Sequence, residues 1–168
     1  MFENKIKNRE EINEIVTSIR KNSPEKKIVT TNGCFDVLHV GHVYSLVKAK
    51  SYGNLLIVGL NSDASVRKYK SSDKRPIIPQ QQRAEMLAAL EVVDYVVIFD
   101  ETDSQALLSV IKPDFHVKSK SGFIARPGFV DCNERGVVES NGGKIVAIDD
   151  IPGISTTEIA RRMKELDG

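Results

Sequence analysis

Residues 28–42 read Ile28-Val29-Thr30-Thr31-Asn32-Gly33-Cys34-Phe35-Asp36-Val37-Leu38-His39-Val40-Gly41-His42. The β-branched run from Ile28 to Thr31 reads as a strand, and Asn32-Gly33 as the tight turn that ends it. From His42 to Lys50 the pattern becomes helical. That helix is expected to stop near Gly53, before the apolar strand Leu55-Leu56-Ile57-Val58-Gly59-Leu60. Strand, helix and strand in this order form a βαβ unit, whose two strands must run parallel.

The same cycle repeats along the chain. A helix around Gln81 to Leu90 leads into a strand from Tyr95 to Phe99, and a helix from Ser104 to Ile111 leads into Phe115-His116-Val117. The last strand, Ile145 to Ile148, is followed by a helix from Thr156, with Ser155 as N-cap and Glu158 three residues on. Such alternation predicts an α/β fold: a Rossmann-like, doubly wound parallel sheet of about five strands in a single domain. Upstream, Ile12, Ile15, Val16 and Ile19 recur at offsets of three and four and mark one face of an amphipathic helix from Arg9 to Arg20. The stretches Tyr69 to Pro79 and Ser119 to Arg135, the second holding Gly122, Pro127 and Gly128, read as mobile loops over a site.

Composition narrows the function. Lys plus Arg total 24 against 23 Asp plus Glu, so no basic excess points to nucleic acid or to an anionic membrane surface. Cys34 and Cys132 stand far apart, outside any metal-binding or disulfide spacing. The first residues are charged, and no run approaches the roughly 20 apolar residues of a membrane helix, so a cytoplasmic location is expected. The expected partners are small molecules, with neither nucleic acid nor membrane among them.

The chemistry concentrates where the first strand hands over to its helix, a place where helix N-termini attract phosphate. Gly33 and Gly41 lack a Cβ and admit close approach of a ligand to the backbone. His39 and His42, three residues apart, can face one group. Two imidazoles that donate N–H and carry charge near neutral pH suit attack on the α-phosphorus of a nucleoside triphosphate, with pyrophosphate leaving. Each histidine taken alone reads equally as a helix cap or core filler; two of them framing a glycine after Gly-Cys-Phe-Asp favour chemistry.

These residues resemble the signature of the cytidylyltransferase-like superfamily of nucleotidyltransferases, Gly-x-Phe-Asp followed by His-x-Gly-His. Within it the chain looks most like the adenylyltransferase domain of bacterial ADP-heptose synthesis enzymes, which transfers AMP to heptose 1-phosphate. The similarity runs from about Ile28 to Met163 and also rests on Val58 to Ser65, Arg75-Pro76-Ile77, Gln82-Arg83, Leu90 to Asp94 and Gly153-Ile154-Ser155-Thr156-Thr157. It divides the chain into an N-terminal helical extension, 1–27, and a nucleotidyltransferase domain, 28–168. By resemblance, His39 and His42 are catalytic, and Thr31, Asn32, Gly33, Cys34, Phe35, Gly41, Arg83, Ser155, Thr156 and Thr157 bind the nucleotide. Asp36, Asn61, Asp63, Lys68 and Lys70 are assigned to the acceptor. Residue by residue, alternatives stand beside these roles: Asp36 as a turn former, Asn61 and Asp63 as helix-start chemistry, Lys68 and Lys70 as solvated lysines, Arg83 as a brace of the sheet, and Ser155 to Thr157 as a capping box. Mg²⁺ is expected to arrive with the triphosphate, with no protein ligands assigned to it. The resemblance also implies a small phosphorylated substrate, an upstream sugar kinase and, as in many relatives, a homodimer.

One segment departs from the pattern. Heptose-type enzymes carry Val-Lys-Gly-Gly-Asp after the fourth strand, where this chain has Val117-Lys118-Ser119-Lys120-Ser121-Gly122. Glycerol-phosphate cytidylyltransferases tend to place an arginine before Gly-Ile-Ser-Thr-Thr, where this chain has Asp150 and Ile151. The second observation favours the heptose branch. The first leaves open a CTP-dependent enzyme acting on glycerol 3-phosphate or another small phosphorylated alcohol, and a non-catalytic nucleotide-binding module.

Overall fold

Alternating strands that are apolar on both sides need cover on both sides, and the chain supplies it. The structure is a computed structural model and describes residues 2–70, 74–122, 124–126 and 129–166. After a 3-10 turn at Phe2–Lys5 the elements are β1 (Ile6–Lys7), α1 (Arg9–Asn22), β2 (Ile28–Gly33), α2 (Val40–Lys50), β3 (Leu55–Asn61), α3 (Asp63–Lys70), α4 (Gln80–Ala89) and β4 (Tyr95–Phe99). There follow α5 (Gln105–Ile111), β5 (Phe115–Ser119), a 3-10 turn at Lys120–Gly122, β6 (Ile124–Arg126), β7 (Phe129–Asp131), α6 (Arg135–Ser140), β8 (Lys144–Ile148) and α7 (Thr156–Leu166).

Six strands form one parallel sheet in the order β1-β4-β3-β2-β5-β8. From β2 the chain winds outward through β3 to β4, then crosses to the other side of β2 for β5 and β8. The direction of winding therefore reverses at the carboxyl end of β2, where open α/β sheets form their ligand crevice. The residues that follow Gly33 sit at that point.

Strand alternation divides the core. Val29, Leu56, Val58 and Val96 pack with Leu46 and Ala49 of α2 and Ala84 and Leu87 of α4. Ile28, Ile57 and Val97 point the other way, onto Ile12 and Val16 of α1 and Leu107 and Ile111 of α5. The α1 stripe is the one its spacing predicts, and the helix starts on a capping box: Asn8 Oδ1 accepts from the Glu11 amide at 2.9 Å, and Glu11 Oε2 from the Asn8 amide at 2.8 Å.

The sheet has six strands where five are expected. The segment 1–27, read as a helical extension, also contributes the edge strand Ile6–Lys7, which pairs with Val96 and Val97 and is too short to show a pattern. The two stretches read as loops carry structure as well. Residues 69–70 close α3, while 119–135 hold a 3-10 turn, an antiparallel β6–β7 pair and the start of α6. Within them, residues 71–73, 123, and Pro127 and Gly128 lie outside the described residues. No helix among the described residues is long and apolar enough to cross a membrane.

Candidate active site

The turn after β2 is shaped by backbone that side-chain-bearing residues rarely adopt. Phe35 and Val37 have φ of 45° and 54°, in the left-handed region, a conformation that costs about 1–3 kcal/mol per residue and concentrates at functional sites. Gly33 makes room for the turn, because a Cβ there would stand 3.2 Å from the Phe35 ring. The chain enters α2 with His39 as N-cap residue, its side chain unused in capping.

Between the two histidines Gly41 sets the geometry. A Cβ on Gly41 would lie 3.0 Å from two atoms of the His39 ring. Without it, the His39 and His42 rings stack, centroids 3.8 Å apart and planes within 20°, while Phe35 leans on His42 at 5.2 Å. Both Nδ1 atoms are buried and without a partner, which leaves Nε2 as the nitrogen to meet a ligand. Burial, with the neighbouring His39 ring second, pushes His42 down to about 4, and burial also lowers His39. The resting pair is therefore neutral at physiological pH.

Two clamps hold the turn. The Asp36 carboxylate accepts from the amides of Ile77 and Ile78 at 3.0 Å and from Arg75 at 2.9 Å. Burial alone would raise this carboxyl, but those amides and the guanidinium outweigh it and hold it below the usual range. On the other side the Thr156 hydroxyl donates to the Asp36 carbonyl at 2.9 Å, docking the first turn of α7 against the turn after β2. Ser155 caps α7 by accepting from the Glu158 amide at 3.1 Å, as the sequence predicts.

A cleft of about 490 Å³ opens here. It is lined by Asn32, Gly33, Cys34, Phe35, Asp36, His42, Asn61, Lys70, Thr156 and Thr157 from the residues singled out in the sequence. His39 is not among the lining residues but stacks on His42, which is. Arg83 lies beneath: fully buried, it donates to the carbonyls of Ile78, Cys34 and Asn61 and pairs with Asp63 at 2.6 Å, so the structure places it as the brace that ties three segments together. Thr31, Gly41, Asp63, Lys68 and Ser155 do not line the cleft; Lys68 is exposed on α3.

The cleft also contains residues to which the sequence assigned no site role: Val66, Thr102, Asp103, Asn133 and Glu134, with Arg75 and Lys118 from segments noted there only as family matches or departures. Thr102 and Asp103 follow β4 and Lys118 lies on β5, so the strand-end rule gives a signal for them. Asn133 and Glu134 precede a helix of six residues that shows no periodicity. Glu134 is buried and holds Lys118 at 2.8 Å; burial would raise its carboxyl, but Lys118 more than compensates and keeps it low. The departing segment is anchored as well: Lys120 pairs with Asp149 at 2.6 Å, and Asp150 accepts from the Ser121 amide and hydroxyl, each at 2.9 Å.

With this geometry in place, similarity to other proteins is informative. The cytidylyltransferase-like family model matches residues 30–162. The chain belongs to the cytidylyltransferase-like family. Among curated members, the bifunctional protein HldE of Pelobacter propionicus is 45% identical over 163 residues, 97% of this chain and 32% of that protein. HldE of Geobacter metallireducens is 53% identical over 134 residues, 80% and 26% of the two chains, and HldE of Campylobacter jejuni is 46% identical over 165 residues, 98% and 32%. The chain thus spans no more than about a third of these relatives. Two solved structures share the fold: a lipopolysaccharide core biosynthesis protein from Thermoplasma volcanium, with TM-score 0.60 and 23% identity over 75% of this chain and 97% of that one, and a pantoate-beta-alanine ligase from Francisella tularensis, with TM-score 0.57 and 16% identity over 97% and 78%. As a cytidylyltransferase-like protein the chain is a nucleotidyltransferase, and the expected parallel α/β fold is the one observed.

Two desolvated histidines, the fully buried His116 and the half-buried His42, make stability depend on pH. His42, and His116 on β5, lie at about 4 when folded against an ordinary 6.5, burial being the main cause for both. Between those values the unfolded chain binds protons that the folded chain refuses, so stability is fully present above pH 6.5 and falls as pH drops toward 4. Urea midpoints measured across that window are expected to fall steadily, with a shallower decline in His116→Gln. A flat profile would contradict the burial of these rings.

Proposed function

We propose that the chain transfers AMP from ATP to a sugar phosphate such as heptose 1-phosphate and releases pyrophosphate. The observation that carries this reading is the stacked His39–His42 pair across Gly41 at the start of α2, facing the Thr156 and Thr157 end of α7 across one cleft. Two helix N-termini and the backbone of the turn from Asn32 to Phe35 offer N–H donors to a triphosphate. His39 and His42 serve as catalytic groups, Ser155, Thr156 and Thr157 receive phosphates, and Lys70 adds charge from α3. Thr31 and Arg83 serve the nucleotide side, Arg83 as the brace beneath the turn, and Asp36, Asn61, Asp63, Lys68 and Lys70 are assigned to the phosphorylated acceptor.

In the reaction an oxygen of the acceptor phosphate attacks the α-phosphorus in line. A new P–O bond forms, the bond to the β-bridging oxygen breaks, and pyrophosphate takes that electron pair. Imidazole N–H groups fixed at the α-phosphate and bridging oxygens stabilise charge that grows there, without reorganising at the moment of reaction. Members of the family generally take the triphosphate with a divalent cation. No group of three or more His, Cys, Asp or Glu among the described residues is built to hold a metal ion. A Mg²⁺ that entered with ATP would be held by phosphate oxygens and water, so no step is assigned to it here. The reading includes an upstream sugar kinase and a homodimer.

The test is pyrophosphate release with each of the four triphosphates against a panel of sugar and polyol phosphates. Turnover highest with ATP and a sugar 1-phosphate supports the proposal. A preference for CTP with glycerol 3-phosphate selects a cytidylyltransferase instead, and tight nucleotide binding with no product from any pair identifies a non-catalytic module.

A further inference from the structure

At the carboxyl end of β3 two polar side chains are paired in a way that helix capping does not use. Asn61 lines the cleft and is 6% exposed, and Ser65, one turn further on in α3, is fully buried. The start of α3 is satisfied without either side chain. The Ser65 amide donates to Ser62 Oγ at 3.1 Å, the Val66 amide to the Ser62 carbonyl at 2.9 Å, and the Asp63 amide to Gln80 Oε1 at 2.8 Å. Ser62, rather than Asn61, is therefore the cap of this helix. The Asn61 amide group and the Ser65 hydroxyl are left for another task.

The far end of the chain of hydrogen bonds fixes its direction. Ser65 Oγ stands 2.5 Å from the Glu101 carbonyl oxygen and 2.9 Å from Asn61 Nδ2. A carbonyl can only accept, so the single hydroxyl proton of Ser65 goes to Glu101. What Ser65 then offers Asn61 is a lone pair, which takes an N–H and refuses a carbonyl. The Asn61 amide is held with Nδ2 toward Ser65, and Oδ1 is the atom left for the cleft. Glu101 is pinned in turn: its carboxylate receives Nη2 of Arg9, on α1, at 2.7 and 2.9 Å, and the two residues after it, Thr102 and Asp103, line the same cleft.

We infer that Ser65 is a positioning residue that orients Asn61 so that its Oδ1 accepts a hydrogen bond from a hydroxyl group of a bound substrate. An acceptor held in one direction discriminates: a ligand lacking the hydroxyl leaves Oδ1 desolvated without a donor, and one carrying a carbonyl there meets a second acceptor. The hydroxyl belongs either to the ribose of the triphosphate or to the phosphorylated acceptor, both of which occupy this cleft in the transfer reaction proposed above, on which the inference rests.

The experiment measures binding rather than turnover. Calorimetric titrations of the full chain use ATP, 2′-deoxy-ATP and 3′-deoxy-ATP. Glucose 1-phosphate and a heptose 1-phosphate are then titrated into chain saturated with an ATP analogue that cannot be cleaved between the α- and β-phosphates. The proteins are the wild type, Asn61→Ala, Ser65→Ala, Ser65→Cys and the Asn61→Ala/Ser65→Ala double variant, with urea midpoints to establish that each is folded. Both Ser65 variants are expected to weaken, by about tenfold, the same ligand that Asn61→Ala weakens, the loss of one buried hydrogen bond. The double variant is expected to lose no more than Asn61→Ala alone, because Ser65 acts through Asn61; a serine that only supports the fold would give losses that add. Loss of ATP affinity, with one deoxynucleotide already weak in the wild type and insensitive to the substitutions, identifies the ribose as the donor. Loss confined to the sugar phosphates identifies the acceptor. Additive losses, Ser65 variants or an Asn61→Ala variant that bind every ligand as the wild type does, or a wild type that binds none of them would overturn the inference. If the coupling is found while no pair gives pyrophosphate, the positioning role stands and the transfer reaction fails.

Discussion

His42→Ala is expected to lower kcat/KM at least about a hundredfold, the usual effect of removing one preorganised donor from a developing negative charge. The structure makes this a clean experiment. The His42 side chain makes no hydrogen bond to another described residue, and its Nδ1 is buried without a partner, so truncation orphans nothing. The folded variant should match the wild type in urea stability at pH 7 and keep its affinity for ATP, with the loss confined to kcat. His39→Ala is expected to fall in the same range, because it removes a second N–H together with the ring that holds His42 in plane at 3.8 Å. Steady-state rates of pyrophosphate release check both; near-normal turnover in the two variants would remove the histidines from the chemistry.

The second large effect falls on stability. Arg83→Met is expected to cost about 3–5 kcal/mol, the range for removing one partner of a buried charged network. Arg83 is fully buried and donates to carbonyls at the end of β2, at the end of β3 and in the segment after Pro76, besides pairing with Asp63. Methionine fills much of the space but leaves three carbonyls and a carboxylate without their donor. Lysine is not expected to rescue the fold, because a point charge cannot reproduce a planar fork aimed at several acceptors. Urea denaturation measures the loss, and a change below about 1 kcal/mol would show that the brace is dispensable.

What the sequence discloses follows from the range of the interactions involved. Near-continuous apolar runs of five to seven residues, as in Leu55–Asn61 and Tyr95–Phe99, mark strands because both of their faces are buried. The Gly33-to-His42 signature marks the site because its own residues set its geometry, down to the missing Cβ on Gly41. Arg83 shows the limit: its quoted match suggested phosphate binding or a brace, and only its position under the turn chooses between them. The rest of the cleft lining was hidden for a related reason. Thr102, Asp103, Lys118, Asn133 and Glu134 come from three separated segments, and each looks like an ordinary loop or strand-end residue until the sheet brings them together. The strand Ile6–Lys7 was invisible because two residues carry no period.

The hydrogen bond from Thr156 to the Asp36 carbonyl spans 120 positions in the chain. During synthesis the ribosome releases the turn long before the helix that braces it. A nascent chain can therefore assemble the centre of its sheet while one wall of the triphosphate pocket is still missing. The pocket is complete only once the segment around Thr156 has emerged and docked, and a chain that stops short of it has no finished pocket in which to trap nucleotide.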